Sequence, residues 1–259
     1  MTYQRFIVLG DSFTEGMTDE IVDGNFRGWA DRVADVLTTQ SPDFTYVNLA
    51  IRGKLIAQVA GDQVPQAIPF ITGKETLVSF HAGINNVIRP NYRPENVFPI
   101  YNDAVRKLSA TGATLMLFTV LEQTGNTGKT ADMWAERFSA FNKNVRAIAV
   151  EVGAIIVDAN GQQFLSDRRF LAFDRLHLNS IGHDRVAQGV LEVLGAPFDP
   201  NWRLPLPTAK PTPWLVKKAT SVAWFFSFAL PWIWRRIRGK SSGDGRSSKY
   251  PTPTTWPLS

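Results

Sequence analysis

Five short apolar runs, alternating with longer segments of helical period, constrain this chain more than any other feature. The runs are RFIVLG (5–10), FTYVNLA (44–50), ETLVSFHAG (75–83), ATLMLFTVL (113–121) and GAIIVDA (153–159). They are rich in β-branched residues and nearly continuous in apolar character, as parallel strands buried on both faces must be. Between them lie GWADRVADVLTTQ (28–40), LIAQVAGDQVPQAI (55–68), IYNDAVRKLSATG (100–112) and DMWAERFSAFNKNVRAIAVEVG (132–153). Trp29, Val33, Val36 and Leu37 recur at helical spacing, and Gly112 and Gly153 stand where helix C-caps are wanted. A last helix, SIGHDRVAQGVLEVLG (180–195), begins after Asn179-Ser180 and stops at Gly195. This alternation predicts an α/β fold, a three-layer α/β/α sandwich around a parallel sheet of about five strands.

Composition divides the chain in two. Residues 201–259 hold ten Lys or Arg against one acid, Asp244, and six of the eight tryptophans. That segment carries +9, and since the whole chain carries +5, the preceding 200 residues carry −4. The expected organisation is an α/β domain over 1–196, then a proline-rich strap and basic aromatic segment over 197–238. A flexible Gly/Ser/Pro-rich tail is expected over 239–259. With no cysteine, disulfides, thiolate nucleophiles and thiolate metal sites are excluded. The N-terminus enters RFIVLG too early for a secretory signal, which predicts a cytoplasmic protein.

In doubly wound folds ligands bind outside the carboxyl ends of the strands. Gly10-Asp11-Ser12 follows the first run, Ile51-Arg52-Gly53 the second and Gly83-Ile84-Asn85-Asn86 the third; DRLHLN (174–179) lies in the loop after the fifth. A serine hydroxyl becomes a nucleophile when a base takes its proton. His177 is the candidate base, and Asp174 would hold its imidazole in the right tautomer. The N–H groups of Ser12 and Gly53 and the side-chain amide of Asn85 would serve a developing oxyanion. No metal or other cofactor is called for.

Serine in GDS, then glycine, then asparagine in GxN, then DxxH is an ordered pattern that resembles the SGNH hydrolases, the GDSL esterase/lipase superfamily. Here it falls on Ser12, Gly53, Asn85 and His177, with Asp174 as the acidic partner. The resemblance implies a flavodoxin-like sheet and a serine esterase that works on a small-molecule ester through an acyl-enzyme. Acyl transfer to a sugar or lipid hydroxyl, or a binding module without efficient catalysis, are the alternatives. The tail, with Pro231-Trp232, Arg235-Arg236, Arg238-Gly239 and Ser241 to Gly245, resembles an actinobacterial branch. One departure is Asn86, where the family commonly has Asp.

Other residues admit plainer readings. Asp11 reads as a turn residue that bonds backbone, with a possible place beside the substrate. Arg52 and Arg89 flank the oxyanion blocks and suit either an anionic substrate group or a surface ion pair. His81 lies in a strand and reads as core, and His183 as a packing residue. The GKT of 128–130 follows a strand, but a phosphate-binding loop needs glycine where Gln123 stands. Residues 122–131 read instead as a mobile cap over the site.

From Ala219 to Trp234 the tail is uncharged for sixteen residues with Pro231 inside, too short to cross a bilayer. Its aromatics would pack on the body or mediate self-association through 214–238. The alternative is an interfacial helix at the inner membrane surface. No nucleic-acid reader module surrounds the charges.

Overall fold

The computed structural model describes residues 2–122, 128–161, 163–238 and 240–257. Strand β1 (Arg5–Gly10) runs up the centre and leads into a one-turn helix, α1 (Ser12–Glu15). A small hairpin of β2 (Ile21–Val22) and β3 (Asn25–Phe26) precedes α2 (Gly28–Leu37). There follow β4 (Thr45–Asn48), β5 (Thr76–His81), α3 (Phe98–Ser109), β6 (Thr114–Phe118), α4 (Lys129–Val152), β7 (Ile155–Val157) and α5 (Ser180–Leu194). Beyond the strap come α6 (Trp214–Trp224), α7 (Leu230–Ile237) and a last strand, β8 (Tyr250–Thr255). The central sheet has the order β7-β6-β5-β1-β4-β8. Its first five strands are parallel, in the flavodoxin-like arrangement, and β8 pairs antiparallel with β4.

Alternation along each strand splits the core into two layers. Ile7, Leu9, Val78 and Phe80 face one side, under the helical run that begins at Ile56 and under α3 and α4. Phe6, Val8, Leu77 and Met116 face the other, under Trp29, Val33 and Leu37 of α2 and Ala187, Val190 and Leu191 of α5. The chain reverses its direction of travel across the sheet at β1, so the crevice between the ends of β1, β4 and β5 is the switch point where such folds bind ligands.

The tail departs from its expected flexibility. Tyr250–Thr255 forms the sixth strand, and Pro251 and Pro253 are tolerated because an edge strand need not donate on its outer side. Ahead of it, Lys249 Nζ donates to the carbonyls of Phe26 (2.7 Å) and Arg27 (3.0 Å) and to Asp31 (2.8 Å). Asp31 also accepts from Tyr46 Oη at 2.8 Å, and Trp256 Nε1 donates to Asp35 at 2.7 Å. Among the described residues no helix is long and apolar enough to cross a membrane. Of the expected cap at 122–131, residues 123–127 lie outside those described; Gly128 N-caps α4.

Candidate active site

β1 ends at Gly10, and Asp11 caps α1 by accepting from Phe13 N (3.3 Å). The neighbouring Phe13 ring locks this turn: its centroid lies 5.6 Å from Trp29, 5.6 Å from Phe118 and 4.5 Å from His81. Contacts of this kind contribute about 0.5–1.5 kcal/mol each beyond burial. Burial holds His81 neutral, its pKa down at about 4, in line with its reading as a core residue. Ser12 is thereby fixed at the carboxyl edge of the central strand.

The loop before α5 is folded around a carboxylate. Asp174 Oδ1 accepts from the N–H groups of Leu176 and His177, both at 2.9 Å. Arg175, between Asp174 and Leu176, takes φ 60°, a conformation non-glycine residues rarely adopt. The turn leaves Asp174 Oδ2 2.6 Å from His177 Nδ1, and His177 Nε2 3.0 Å from Ser12 Oγ. Burial pushes the Asp174 carboxyl up, but the hydrogen bonds and charge of His177 and the two N–H donors pull it lower still, so it stays ionised. With Nδ1–H donating to Asp174, Nε2 is free to accept the serine proton.

Around Ser12 Oγ, the N–H groups of Ser12 and Gly53 find no acceptor among the described residues. The side-chain amide of Asn85 is engaged, donating to Asp11 Oδ2 (3.0 Å) and Lys54 O (3.1 Å). Burial raises the Asp11 carboxyl to about 6, against the pull of Phe13 N–H, His177 and Asn85. Asn86 Oδ1 accepts from Ile56 N at 2.9 Å, so the loop after β5 is braced without the charge of an aspartate. Of the two arginines, Arg52 is paired with Glu15, which also accepts from Arg52 N at 2.6 Å, and its guanidinium lies 5.1 Å from the Phe26 ring. It braces the glycine loop rather than facing substrate. Arg89 does not line the cavity above Ser12.

That cavity is small, about 60 Å³, and is bounded on the body side by Ser12, Met17, Gly53, Asn85, Leu176 and His177. The other half comes from the tail: Phe228, Trp232, Arg235, Lys240, Ser241 and Ser242. Trp224 Nε1 donates to Asp174 O (2.9 Å), and Arg175 stacks on the Trp224 ring at 4.8 Å. Ser241 Oγ donates to Gly53 O (3.3 Å). Gly53 and Gly243 make this contact possible, since a Cβ on the first would strike Ser241 Oγ and one on the second the Arg52 carbonyl. Sequence reasoning expected the tail's aromatics to pack on the body or on a second copy, but not to roof the serine. The roof's signals were present in Trp224, Phe228 and Trp232 spaced by four, and in the glycine pair of SSGDG.

One further residue, Gln63, escaped sequence reasoning, whereas His183 takes the packing place expected of it. Gln63 exchanges two hydrogen bonds with the backbone of Gly10 (2.8 and 2.9 Å), pinning the end of β1. His183 packs beneath the site, its Nε2 3.2 Å from Met17 O and its Nδ1 buried without a partner. Burial lowers its pKa to about 4, so the unfolded chain binds the proton first. Stability is therefore full above the ordinary pKa of about 6.5 and is lost as pH falls toward 4. From about pH 7 to about pH 5 the parent should lose on the order of 2 kcal/mol more than His183→Gln, as read by urea unfolding. Among the described residues no cluster of His, Asp or Glu is arranged to hold a metal ion.

Solved structures share this fold. LAE5, an alpha/beta hydrolase enzyme from the metagenome of Lake Arreo, is 19% identical with a TM-score of 0.60, over 74% of this chain and 95% of its own. Axe2, an acetylxylan esterase from Geobacillus stearothermophilus, is 18% identical with a TM-score of 0.60, over 77% and 95%. The psychrotrophic esterase EstA from Pseudoalteromonas is 14% identical with a TM-score of 0.57, over 74% and 97%. No curated protein matches the chain. Residues 8–185, which carry every block from Gly10 to His177 and stop short of the roof, match the GDSL-like Lipase/Acylhydrolase family, and the chain belongs to that family.

Proposed function

We propose that the protein is a serine ester hydrolase that forms an acyl-enzyme on Ser12. The observation that carries this is the continuous chain from Asp174 Oδ2 to His177 (2.6 Å) and from His177 Nε2 to Ser12 Oγ (3.0 Å). Ser12 Oγ attacks the ester carbonyl as its proton passes to His177 Nε2. The oxyanion is met by the unpaired N–H groups of Ser12 and Gly53. Asn85 supplies a third donor by turning one N–H from the Lys54 carbonyl. Collapse breaks the acyl–oxygen bond, and the imidazolium protonates the leaving alcohol. A water then gives its proton to His177, attacks the acyl carbon, and the same proton returns to Ser12 Oγ as the acid leaves.

The size of the cavity supports a short acyl group. About 60 Å³ is well under the roughly 150 Å³ of a cavity that takes up benzene. Arg235 and Lys240 in its wall, with no carboxylate among its described lining residues, favour a substrate whose alcohol part is anionic. A series of 4-nitrophenyl esters from acetate to decanoate tests the reading. The expected kcat/KM is highest for the shortest members and falls by about tenfold or more once the chain outgrows the pocket. Preference for decanoate contradicts the short-acyl assignment, and no hydrolysis at all contradicts the reaction.

A second reading is acyl transfer to a hydroxyl, favoured by the roof of Phe228 and Trp232 over the serine, which limits water. Product analysis with and without a polyol acceptor separates the two. The tail pattern that supplies this roof is also the ground on which we assign the chain to an actinobacterial branch of its family.

A further inference from the structure

We infer that α6 and α7, with the helical turn joining them, dock this protein on an anionic lipid surface while their inner face roofs the serine cleft. The two faces of this segment differ. Trp224, Phe228 and Trp232 point inward and are partly covered. On the opposite side Leu215, Val222, Phe226, Leu230 and Ile233 form a stripe spaced by seven, four, four and three residues. These side chains are exposed, Phe226 at 63% and Leu215 at 61%, and Trp214 and Trp234 extend the patch at its two ends. Scattered exposed apolar residues are ordinary, but an aligned stripe is not. Among the described residues the body leaves this face uncovered.

Charge selects the occupant. Lys217 and Lys218 lie at one end of the stripe and Arg238 at the other, where Arg235 and Lys240 line the cleft, and no carboxylate occurs between Asp199 and Asp244. A second copy meeting this face by two-fold symmetry would set cations against cations. Anionic headgroups neutralise them, and the apolar stripe gains the acyl boundary beneath. Among the described residues no helix is long and apolar enough to cross a membrane, so the segment lies in the interface. Anchors on either side hold it in place: the Arg175–Trp224 stack, and the Lys249 and β8 attachments. Docking therefore brings the roof of the serine cleft to the headgroup layer.

The test is flotation of the full chain with vesicles of pure phosphatidylcholine and of equimolar phosphatidylcholine and phosphatidylglycerol. It is run on the parent and on Ser12→Ala, so that a failure of the catalytic reading leaves the binding result intact. The parent and Ser12→Ala should both float with the mixed vesicles, with tryptophan emission shifted to the blue, and should be released by high salt. Phe226→Glu and the pair Lys217→Glu with Lys218→Glu should each weaken binding by about tenfold or more while leaving hydrolysis of a soluble short-chain ester unchanged. Absence of binding to the mixed vesicles, equal binding to both kinds, or a dimer in sedimentation that Phe226→Glu dissolves would overturn the inference.

Discussion

Replacing Ser12 with alanine should lower kcat/KM for a short-chain ester by at least about 10⁴-fold, a loss of ~5.5 kcal/mol in transition-state stabilisation. The hydroxyl is the only atom removed, and the hydrogen bonds that build its turn, from Asp11 and Phe13 to Gly16, are made by other groups. The unfolding midpoint should therefore hardly move. His177→Ala should cost a comparable factor, because without the imidazole nothing at 3.0 Å accepts the serine proton. The double variant should be scarcely worse than either single one, since the two groups act as a unit. Asp174→Asn should fall between parent and Ser12→Ala: the imidazole remains, but an amide in place of Oδ2 no longer stabilises the imidazolium. Steady-state kinetics on the parent and the four variants, each checked for folding by circular dichroism, reads all of this.

The second large effect lies far from the chemistry. Lys249→Met should destabilise the protein by about 3–5 kcal/mol, because it leaves Asp31 buried with its charge uncompensated. Both side chains are only 4% exposed, and the ammonium satisfies two carbonyls besides the carboxylate. Burial already raises the Asp31 carboxyl to about 6 in spite of Lys249, and its loss raises it further. A carboxyl raised above its unfolded value binds more protons in the folded state, so stability is regained as pH falls through the folded value. The penalty should thus be larger at pH 8 than at pH 5. Urea unfolding at both values reads it, and pairing Lys249→Met with Asp31→Leu should recover most of the loss. Because Lys249 anchors the tail to the body just ahead of β8, the single variant should also loosen the roof and weaken esterase activity more than its global stability alone explains.

How much of this was legible beforehand depends on whether the physics is local. The five parallel strands announce themselves because burial on both faces demands nearly continuous apolar runs, and RFIVLG and TLVSFH are buried along almost their whole length. The convergence of Ser12, Gly53, Asn85 and His177 follows from topology once the strands are ordered. The geometry within that convergence does not. That Arg52 is taken up by Glu15, and that the Asn85 amide is shared between Asp11 and Lys54, depends on rotamers no pattern encodes. β8 is hidden for a different reason. YPTPTT lacks an apolar period and carries two prolines, so it reads as loop; it becomes a strand because β4 presents an edge and Lys249 holds the chain there. The roof is half legible: spacing puts Trp224, Phe228 and Trp232 on one helix face, but only the tertiary structure says that this face meets the serine.

Everything above turns on whether Ser12 is an activated nucleophile. Intact-mass labelling with a fluorophosphonate asks this directly, with parent, Ser12→Ala and His177→Ala compared at equal concentration. The account predicts one adduct on the parent, none on Ser12→Ala, and labelling of His177→Ala slowed by orders of magnitude. An unlabelled, well-folded parent, or an adduct that persists in Ser12→Ala, would contradict it.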